Sequence, residues 1–148
     1  MKQKFKQVTR LWNLIFIRIR LDILFIFAAN KCQSRFMNLE VKKEGRYSYY
    51  EAGEGTPIVI LHGLMGGLSN FDGVTNYFPP LGYKVVIPEL PIYTQNILKT
   101  NVKAFAKYVK DFITFKGFER VILLGNSLGG HIALYHCKMY PEKVAGLV

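Results

Sequence analysis

The most informative segment of this chain is Val121-Ile122-Leu123-Leu124-Gly125-Asn126-Ser127-Leu128-Gly129-Gly130. It begins as an apolar run typical of a buried strand, and an amphipathic segment that ends near Tyr140 follows it. Between the two lies the pattern G-x-S-x-G, in which a serine occupies a sharp turn from strand to helix. Such a tight turn needs glycines where the two backbones meet, and Gly125 and Gly129 supply them. Raised above the sheet at a helix N-terminus, Ser127 is therefore the candidate nucleophile.

A second strand that ends in glycines lies upstream, where an apolar run precedes His62-Gly63-Leu64-Met65-Gly66-Gly67. Gly63 permits a turn that would let the backbone N–H of Leu64 face Ser127. With the N–H of Leu128, it would form an oxyanion hole, because such donors stabilise the negative charge that develops on a carbonyl oxygen. A serine in a single glycine-rich turn can also arise by chance. The second turn favours the catalytic interpretation.

Composition limits the classes of protein to which the chain can belong. Its 148 residues fit one domain, and half of them are apolar. The net charge of +10 is uneven: residues 1–36 carry eight basic residues and one acidic residue, and residues 37–148 carry twelve basic and nine acidic residues. Because the longer part shows no basic stripe with interleaved aromatic residues, we predict no nucleic-acid partner. Cys32 and Cys137 lie in no paired or metal-ligand pattern, so we predict neither a disulfide nor a metal site.

Residues 1–36 form a leader whose composition differs from that of the rest. Residues 1–10 are basic and residues 11–29 are mostly apolar, as in a signal or anchor segment. Charged residues interrupt the apolar part. A membrane span needs about 20 mostly apolar residues, so this interruption argues against a span. The leader is either a membrane-directed segment or an upstream extension with no folded role. We predict a folded domain over residues 37–148 and a cytoplasmic protein, membrane-associated through residues 11–29 only if the leader is an anchor.

The hydrophobic patterns predict an α/β fold. Alternation around the turn Lys43-Glu44-Gly45-Arg46 predicts two short antiparallel strands. Continuous apolar runs predict buried parallel strands at Pro57–Leu61, Tyr83–Ile87, Arg120–Leu124 and, at the end of the chain, Val144–Val148.

Helices are predicted between these strands. The period of 3.6 residues is clearest over Asn101–Lys116, with Gly117 as the C-cap. A shorter helix is predicted over Ser69–Tyr77, with Ser69 as the N-cap and Asp72 as the third helical residue. Another is predicted over Leu128–Tyr140, behind the candidate nucleophile.

The two glycine-rich turns, in this order, resemble those of the α/β-hydrolase fold family. The segment His62-Gly63-Leu64-Met65-Gly66-Gly67 looks like the H-G oxyanion loop of that family, and Gly125-Asn126-Ser127-Leu128-Gly129-Gly130-His131 looks like its nucleophile elbow. The resemblance runs from about Tyr47 to Val148. It implies a mostly parallel sheet with helices on both faces.

For the turns themselves, the resemblance implies structural roles for His62, Gly63, Gly125 and Gly129. The ring of His62 would hold its loop by hydrogen bonds.

The resemblance also implies a serine hydrolase that needs no cofactor or metal. Ser127 would attack a small-molecule ester or a related acyl carbonyl, while Leu64 and Leu128 would form the oxyanion hole. Acyl transfer and hydrolysis of a C–C bond use the same serine and stay open as alternatives. Epoxide hydrolases and haloalkane dehalogenases of this fold carry an aspartate at the position of Ser127, which argues against them.

The general base is missing from the predicted site. In the family an Asp or Glu and then a His follow the serine, but only 21 residues follow Ser127 here. His62 belongs to the oxyanion turn, and His131 and His136 lie one turn and more than two turns down the helix, so we expect none to be the base. We interpret the sequence as the N-terminal part of a hydrolase, truncated after the elbow helix and inactive by itself. The competing hypothesis is a non-catalytic chain.

Overall fold

Six strands form one mixed sheet in a computed structural model of the chain, which describes residues 40–64, 71–92 and 101–148. The strands are β1 (Lys42–Glu44), β2 (Tyr47–Ala52), β3 (Thr56–Leu61), β4 (Tyr83–Pro88), β5 (Val121–Gly125) and β6 (Val144–Leu147). Their order across the sheet is β1-β2-β4-β3-β5-β6. The pairs β3/β4, β3/β5 and β5/β6 are parallel, whereas β2 pairs in antiparallel fashion with β1 and β4. The predicted hairpin and the predicted parallel strands are thereby confirmed.

In the residues that the structure describes, three α-helices lie between the parallel strands: α1 (Asp72–Tyr77), α2 (Val102–Phe115) and α3 (Leu128–Met139). Short 3-10 turns follow α1 at Pro79–Leu81 and α3 at Pro141–Lys143. The alternation of strand and helix confirms the predicted mostly parallel α/β fold. Among the helices in the described residues, none has both the length and the hydropathy that crossing a bilayer would need. The leader, residues 1–36, lies outside the described residues.

Local sequence explains the bounds of α2. Asn101 precedes the helix in an extended conformation, and its side-chain oxygen accepts a 2.8 Å hydrogen bond from the N–H of Ala104. The C-cap is Lys116 and not Gly117 as predicted; Gly117 is the next residue and has the positive φ, +69°, that glycine commonly adopts just past a helix. The side chains that α2 buries are Phe105, Ala106, Val109, Phe112 and Ile113.

The start of α1 differs from the prediction. Asp72 is the first residue of the helix, not the third, and the residue before it, Phe71, makes no side-chain capping bond. Phe71 is 2% exposed, so packing of an aromatic ring accompanies the start of this helix. Ser69, the predicted cap, lies outside the described residues.

Both faces of the central strands are buried. One face carries Val59, Leu61, Val121 and Leu123, which form a core cluster with the buried side chains of α2 and α3. Ile58 and Ile60 alternate with the first two and are also buried, as expected for parallel strands covered on both sides. Towards the hairpin, a second cluster consists of Tyr47, Tyr49, Val86 and Phe112.

Candidate active site

The topology of the sheet singles out the ends of β3 and β5. The connection after β3 leads to β4 on one side, and the connection after β5 leads to β6 on the other side. Ligands of open α/β sheets bind where two adjacent strands send their connections in opposite directions, outside the carboxyl ends of the strands. Here Leu61 lies opposite Gly125 in the parallel register, and the N–H of Asn126 donates to the Leu61 carbonyl at 3.0 Å. This bond ties the turn after β5 to the end of β3.

Ser127 lies in that turn with φ 55° and ψ −117°. Among the described residues, it is the only non-glycine residue with a positive φ. This conformation costs a side-chain-bearing residue about 1–3 kcal/mol and persists only where the surroundings impose it. Ser127 is also exposed and directly precedes the first residue of α3. Its hydroxyl is therefore available to a ligand at the switch point.

Close backbone contacts account for the glycines around the serine. A methyl group at Gly129 would overlap the carbonyl of Leu61, and one at Gly125 would lie 2.6 Å from the Gly129 carbonyl oxygen. Helix α3 thus rests against the ends of both central strands. A side chain at either position would push the helix and Ser127 away from the sheet.

The turn after β3, which contains the predicted oxyanion donor Leu64, contacts Ser127 through Gly63. A methyl group at Gly63 would lie 3.1 Å from Ser127 Cβ and 3.6 Å from its Oγ, so the turn after β3 contacts the serine directly. Leu64, the next residue, is 53% exposed. Leu128 is the first residue of α3, where backbone N–H groups have no acceptor within the helix. The turn after β3 therefore brings Gly63 to the serine, and the oxyanion role of Leu64 and Leu128 stays a prediction.

The ring of His62 joins two loops. The N–H of Leu90, in the loop after β4, donates to His62 Nε2 at 3.0 Å, so this nitrogen carries no proton. A neutral ring then has its proton on Nδ1, which donates to the Gly63 carbonyl at 3.0 Å. Both ring nitrogens are thus occupied by backbone groups. The sequence pattern gave no sign of the contact with Leu90.

The other two histidines are also engaged elsewhere. The Nδ1 of His131 lies 3.2 Å from the backbone carbonyl of Ser127, one turn earlier in α3. His136 is fully buried, and its Nδ1 lies 3.1 Å from the carbonyl of Ala106 in α2. Burial lowers the pKa of His136, and its hydrogen bond to Ala106 only partly opposes this effect. In these positions the three histidines of the chain bind backbone carbonyls and amides.

Within the described ranges, no group of three or more His, Cys, Asp or Glu side chains is arranged to hold a metal ion. The absence of metal and cofactor from the reaction stays a prediction.

Fold and turn geometry together define an α/β protein with a serine presented at the switch point of its sheet. Residues 56–148 match the sequence profile of the family described as alpha/beta hydrolase fold. This match covers more than half of the chain, and the chain therefore belongs to the alpha/beta hydrolase fold family.

Solved structures agree with this assignment. The chain is 68% identical to MGS-MChE2, an alpha/beta hydrolase enzyme from the metagenome of sediments from the lagoon of Mar Chica, Morocco; the TM-score is 0.71, over 73% of this chain and 49% of that one. Epoxide hydrolase I of potato (Solanum tuberosum) is 24% identical with a TM-score of 0.66, over 74% of this chain and 39% of that one. At this identity, the likeness to the potato protein shows the fold alone.

Curated relatives carry more specific names. A 2-hydroxy-6-oxo-6-phenylhexa-2,4-dienoate hydrolase of Comamonas testosteroni is 33% identical over 68% of this chain and 37% of its own length. A 2-hydroxy-6-oxononadienedioate/2-hydroxy-6-oxononatrienedioate hydrolase of Paraburkholderia phymatum is 35% identical over 78% of this chain and 43% of its own length. The chain therefore spans less than half the length of the curated relatives that it matches.

Proposed function

We propose that this chain supplies the nucleophile and the oxyanion hole of a serine hydrolase that acts on a small-molecule ester or a related acyl substrate. The hydroxyl of Ser127 attacks the acyl carbonyl, and the N–H groups of Leu64 and Leu128 donate to the oxygen on which negative charge develops. Water then releases the acyl group from the serine. The proposed reaction uses no metal or cofactor.

The backbone of Ser127 is the observation that carries this proposal. A serine at φ 55° is strained, and strained residues cluster at functional sites. The same residue is exposed and contacts the turn at Gly63, where the second proposed donor follows. A serine with only a structural role would gain nothing from this conformation.

The general base is proposed to come from the whole protein beyond this chain. His62 and His136 are occupied by backbone groups, and the Nδ1 of His131 faces the carbonyl of Ser127. Without a base, a serine hydroxyl is a poor nucleophile at neutral pH. The chain by itself is therefore expected to hydrolyse esters slowly or not at all.

Hydrolysis of a C–C bond is the second candidate, and the names of the curated relatives favour it. The names of those relatives share a 2-hydroxy-6-oxo unsaturated acid as the substrate, and we propose that Ser127 would attack its carbonyl at C6, next to the bond that breaks. The nucleophile and the oxyanion donors would be the same residues. Epoxide hydrolysis is disfavoured. The resemblance to the family implies an aspartate nucleophile in its epoxide hydrolases, and this chain has Ser127 at that position.

Replacement of Ser127 tests the proposal in the protein expressed from its complete reading frame. Ser127→Ala should lower kcat/KM for a p-nitrophenyl ester by about 10⁴-fold or more, because the nucleophile is lost. Labelling by a fluorophosphonate probe should disappear with it. Ser48→Ala is the matched control, since Ser48 lies in β2 and its backbone carbonyl, not its side chain, binds Glu89. Turnover that survives in Ser127→Ala would refute the proposed role.

A second assay separates the candidate substrates. The same protein is given the p-nitrophenyl ester and a 2-hydroxy-6-oxo-6-phenylhexa-2,4-dienoate, and kcat/KM is measured for each. A higher value for the ester supports ester hydrolysis, and a higher value for the dienoate supports cleavage of the C–C bond. Turnover of neither substrate, together with no probe labelling, would favour a non-catalytic chain.

A further inference from the structure

A continuous path of hydrogen bonds leads from α2 to the turn beside Ser127. The hydroxyl of Tyr108 donates to the backbone carbonyl of Glu89 at 3.1 Å. The peptide group that contains this carbonyl ends in the N–H of Leu90, which donates to His62 Nε2 at 3.0 Å. The opposite nitrogen of the ring donates to the carbonyl of Gly63 at 3.0 Å.

All the bonds in this path point in one direction. The peptide group between Gly63 and Leu64 accepts from His62 at its carbonyl end and carries the Leu64 N–H at its other end. Because a trans peptide is planar, a bond that fixes the carbonyl also fixes the direction of the N–H. Each acceptor that is polarised in this way makes the donor at its far end stronger, an effect of about 10–30% per bond. The Gly63–Leu64 peptide carries the Leu64 N–H, one of the two proposed oxyanion donors.

We propose that Tyr108 is a positioning residue for the reaction: through the Glu89–Leu90 peptide, the His62 ring and the Gly63–Leu64 peptide, its hydroxyl orients and polarises the N–H that receives the oxyanion. This inference rests on the proposed function, because the oxyanion belongs to the proposed reaction. Tyr108 itself touches no substrate in this arrangement.

The surroundings of Tyr108 suit this role. Its ring packs edge-on against Tyr47 at 5.3 Å and lies 6.0 Å from the guanidinium of Arg46. Burial raises the pKa of Tyr108 to about 12, so the phenol keeps its proton at neutral pH and remains a donor. Helix α2 is held in place by its five buried side chains. The ring of Tyr108 is therefore anchored to a packed helix, and the bond from its hydroxyl to Glu89 lies at the surface.

Substitution of Tyr108 by Phe removes only the first bond of the path, since the ring remains. Polarisation passes on only about 10–30% of a change at each bond, so the loss at Leu64 comes mainly from the orientation of its N–H, and a displaced donor lowers the rate even when the substitution lies far from the reacting atoms. Tyr108→Phe should therefore lower kcat about two- to fivefold at unchanged KM, in the protein expressed from its complete reading frame. Tyr47→Phe is the matched control, because it also removes a hydroxyl from this aromatic cluster. In the described contacts, the Tyr47 hydroxyl accepts a hydrogen bond from Arg46 only. This control should leave kcat unchanged.

Nuclear magnetic resonance gives a readout that does not depend on turnover. In the unsubstituted protein, His62 should show a bare, pyridine-type Nε2 and a protonated Nδ1 in its ¹⁵N shifts. Tyr108→Phe should move the amide proton resonances of Leu90 and Leu64 upfield, whereas Tyr47→Phe should not. Unchanged kcat and unchanged Leu64 amide shift in Tyr108→Phe would overturn the inference, as would the opposite tautomer of His62.

Ser127→Ala separates the two proposals. If it abolishes turnover while Tyr108→Phe changes neither kcat nor the Leu64 resonance, the relay is wrong and the proposed nucleophile stands. If Ser127→Ala retains turnover, the proposed function is wrong and the positioning role of Tyr108 falls with it, whatever the His62 tautomer and the Leu64 shift show about the hydrogen bonds themselves.

Discussion

Gly129 is the residue at which helix α3 meets the end of β3, and the carbonyl of Leu61 occupies the space where a side chain would be. Gly130, one residue further along the same helix, has more room: a methyl group there would lie 3.4 Å from the Gly125 carbonyl oxygen. The space available for a side chain therefore differs between the two neighbours. Gly129 is required by close packing, and Gly130 is not.

Alanine substitutions should separate these neighbours. Gly129→Ala is expected to lower the free energy of unfolding by about 2 kcal/mol or more, because the new methyl group must displace the strand end. It should also reduce fluorophosphonate labelling, since Ser127 moves with the helix. Gly130→Ala should stay within about 1 kcal/mol of the parent, because alanine's higher helix propensity offsets a mild contact. Urea denaturation measures both, and equal losses would contradict the proposed packing.

Several residues of the candidate site could be found from sequence, for a physical reason. A serine between glycines after an apolar run requires a tight strand-to-helix turn, and the predicted turn geometry appears at Ser127 and Gly129 in the structure. Tyr108 and Leu90 could not be found in this way. Their contribution depends on hydrogen bonds between segments far apart in the chain, one through a hydroxyl and one through a backbone N–H, and no local pattern encodes either.

At the scale of the element, α2 is the helix whose sequence determines its bounds most directly. The predicted span, Asn101–Lys116, includes the two cap residues, and the observed helix runs between them over Val102–Phe115. The predicted start of α1 was wrong because the prediction used capping chemistry alone. Packing of Phe71 is a tertiary effect, and the residues that surround a buried ring cannot be listed from a local window.

The cap of α2 can be tested by itself. Asn101→Ala should lower the free energy of unfolding by about 1 kcal/mol, because the N–H of Ala104 loses its acceptor. Asn101→Asp should lose little, since a carboxylate can accept the same bond and suits a helix N-terminus. The two midpoints of urea denaturation decide the matter, and equal destabilisation by both variants would argue against a capping role.

At the scale of the whole molecule, one carboxylate connects four elements. Glu51 in β2 forms ion pairs with Lys42 of β1 at 2.7 Å, Lys84 of β4 at 3.5 Å and Lys116 at the end of α2 at 3.0 Å. Burial alone would raise the pKa of Glu51. Hydrogen bonds from Lys42 and Lys116, with the charges of Lys116 and Lys84, outweigh burial and lower that pKa to about 2.

Stability should consequently fall in acid. An unfolded glutamate has a pKa of 4.5, so the contribution of Glu51 is fully present above that pH and is lost as the pH falls towards about 2. At pH 6, Glu51→Gln should unfold more easily than the parent by roughly 2 kcal/mol, and the difference should become small as the pH falls to about 2 and vanish below it. Glu54→Gln, in the exposed loop before β3, is the control for the loss of one charge. A difference that is independent of pH would exclude this ion-pair contribution.

The leader and the cellular location belong to the same scale. Membrane association through residues 11–29 and a cytoplasmic location both stay predictions, because the leader lies outside the described residues. Charge and hydropathy indicate how strongly a segment can bind a membrane. They do not show whether the leader is present in the working protein, which is why its role could not be predicted from sequence.

The backbone of Ser127 has a further consequence for the history of the gene. At a φ of 55°, glycine is the residue that fits with the least strain, and a serine codon of the AGC or AGT type becomes a glycine codon by one nucleotide change. Without selection for a hydroxyl, selection for stability would favour that change because glycine relieves the strain. Persistence of serine at this position in descendants of the gene would therefore record selection for chemistry, and glycine there would mark lineages that kept the scaffold and abandoned the reaction.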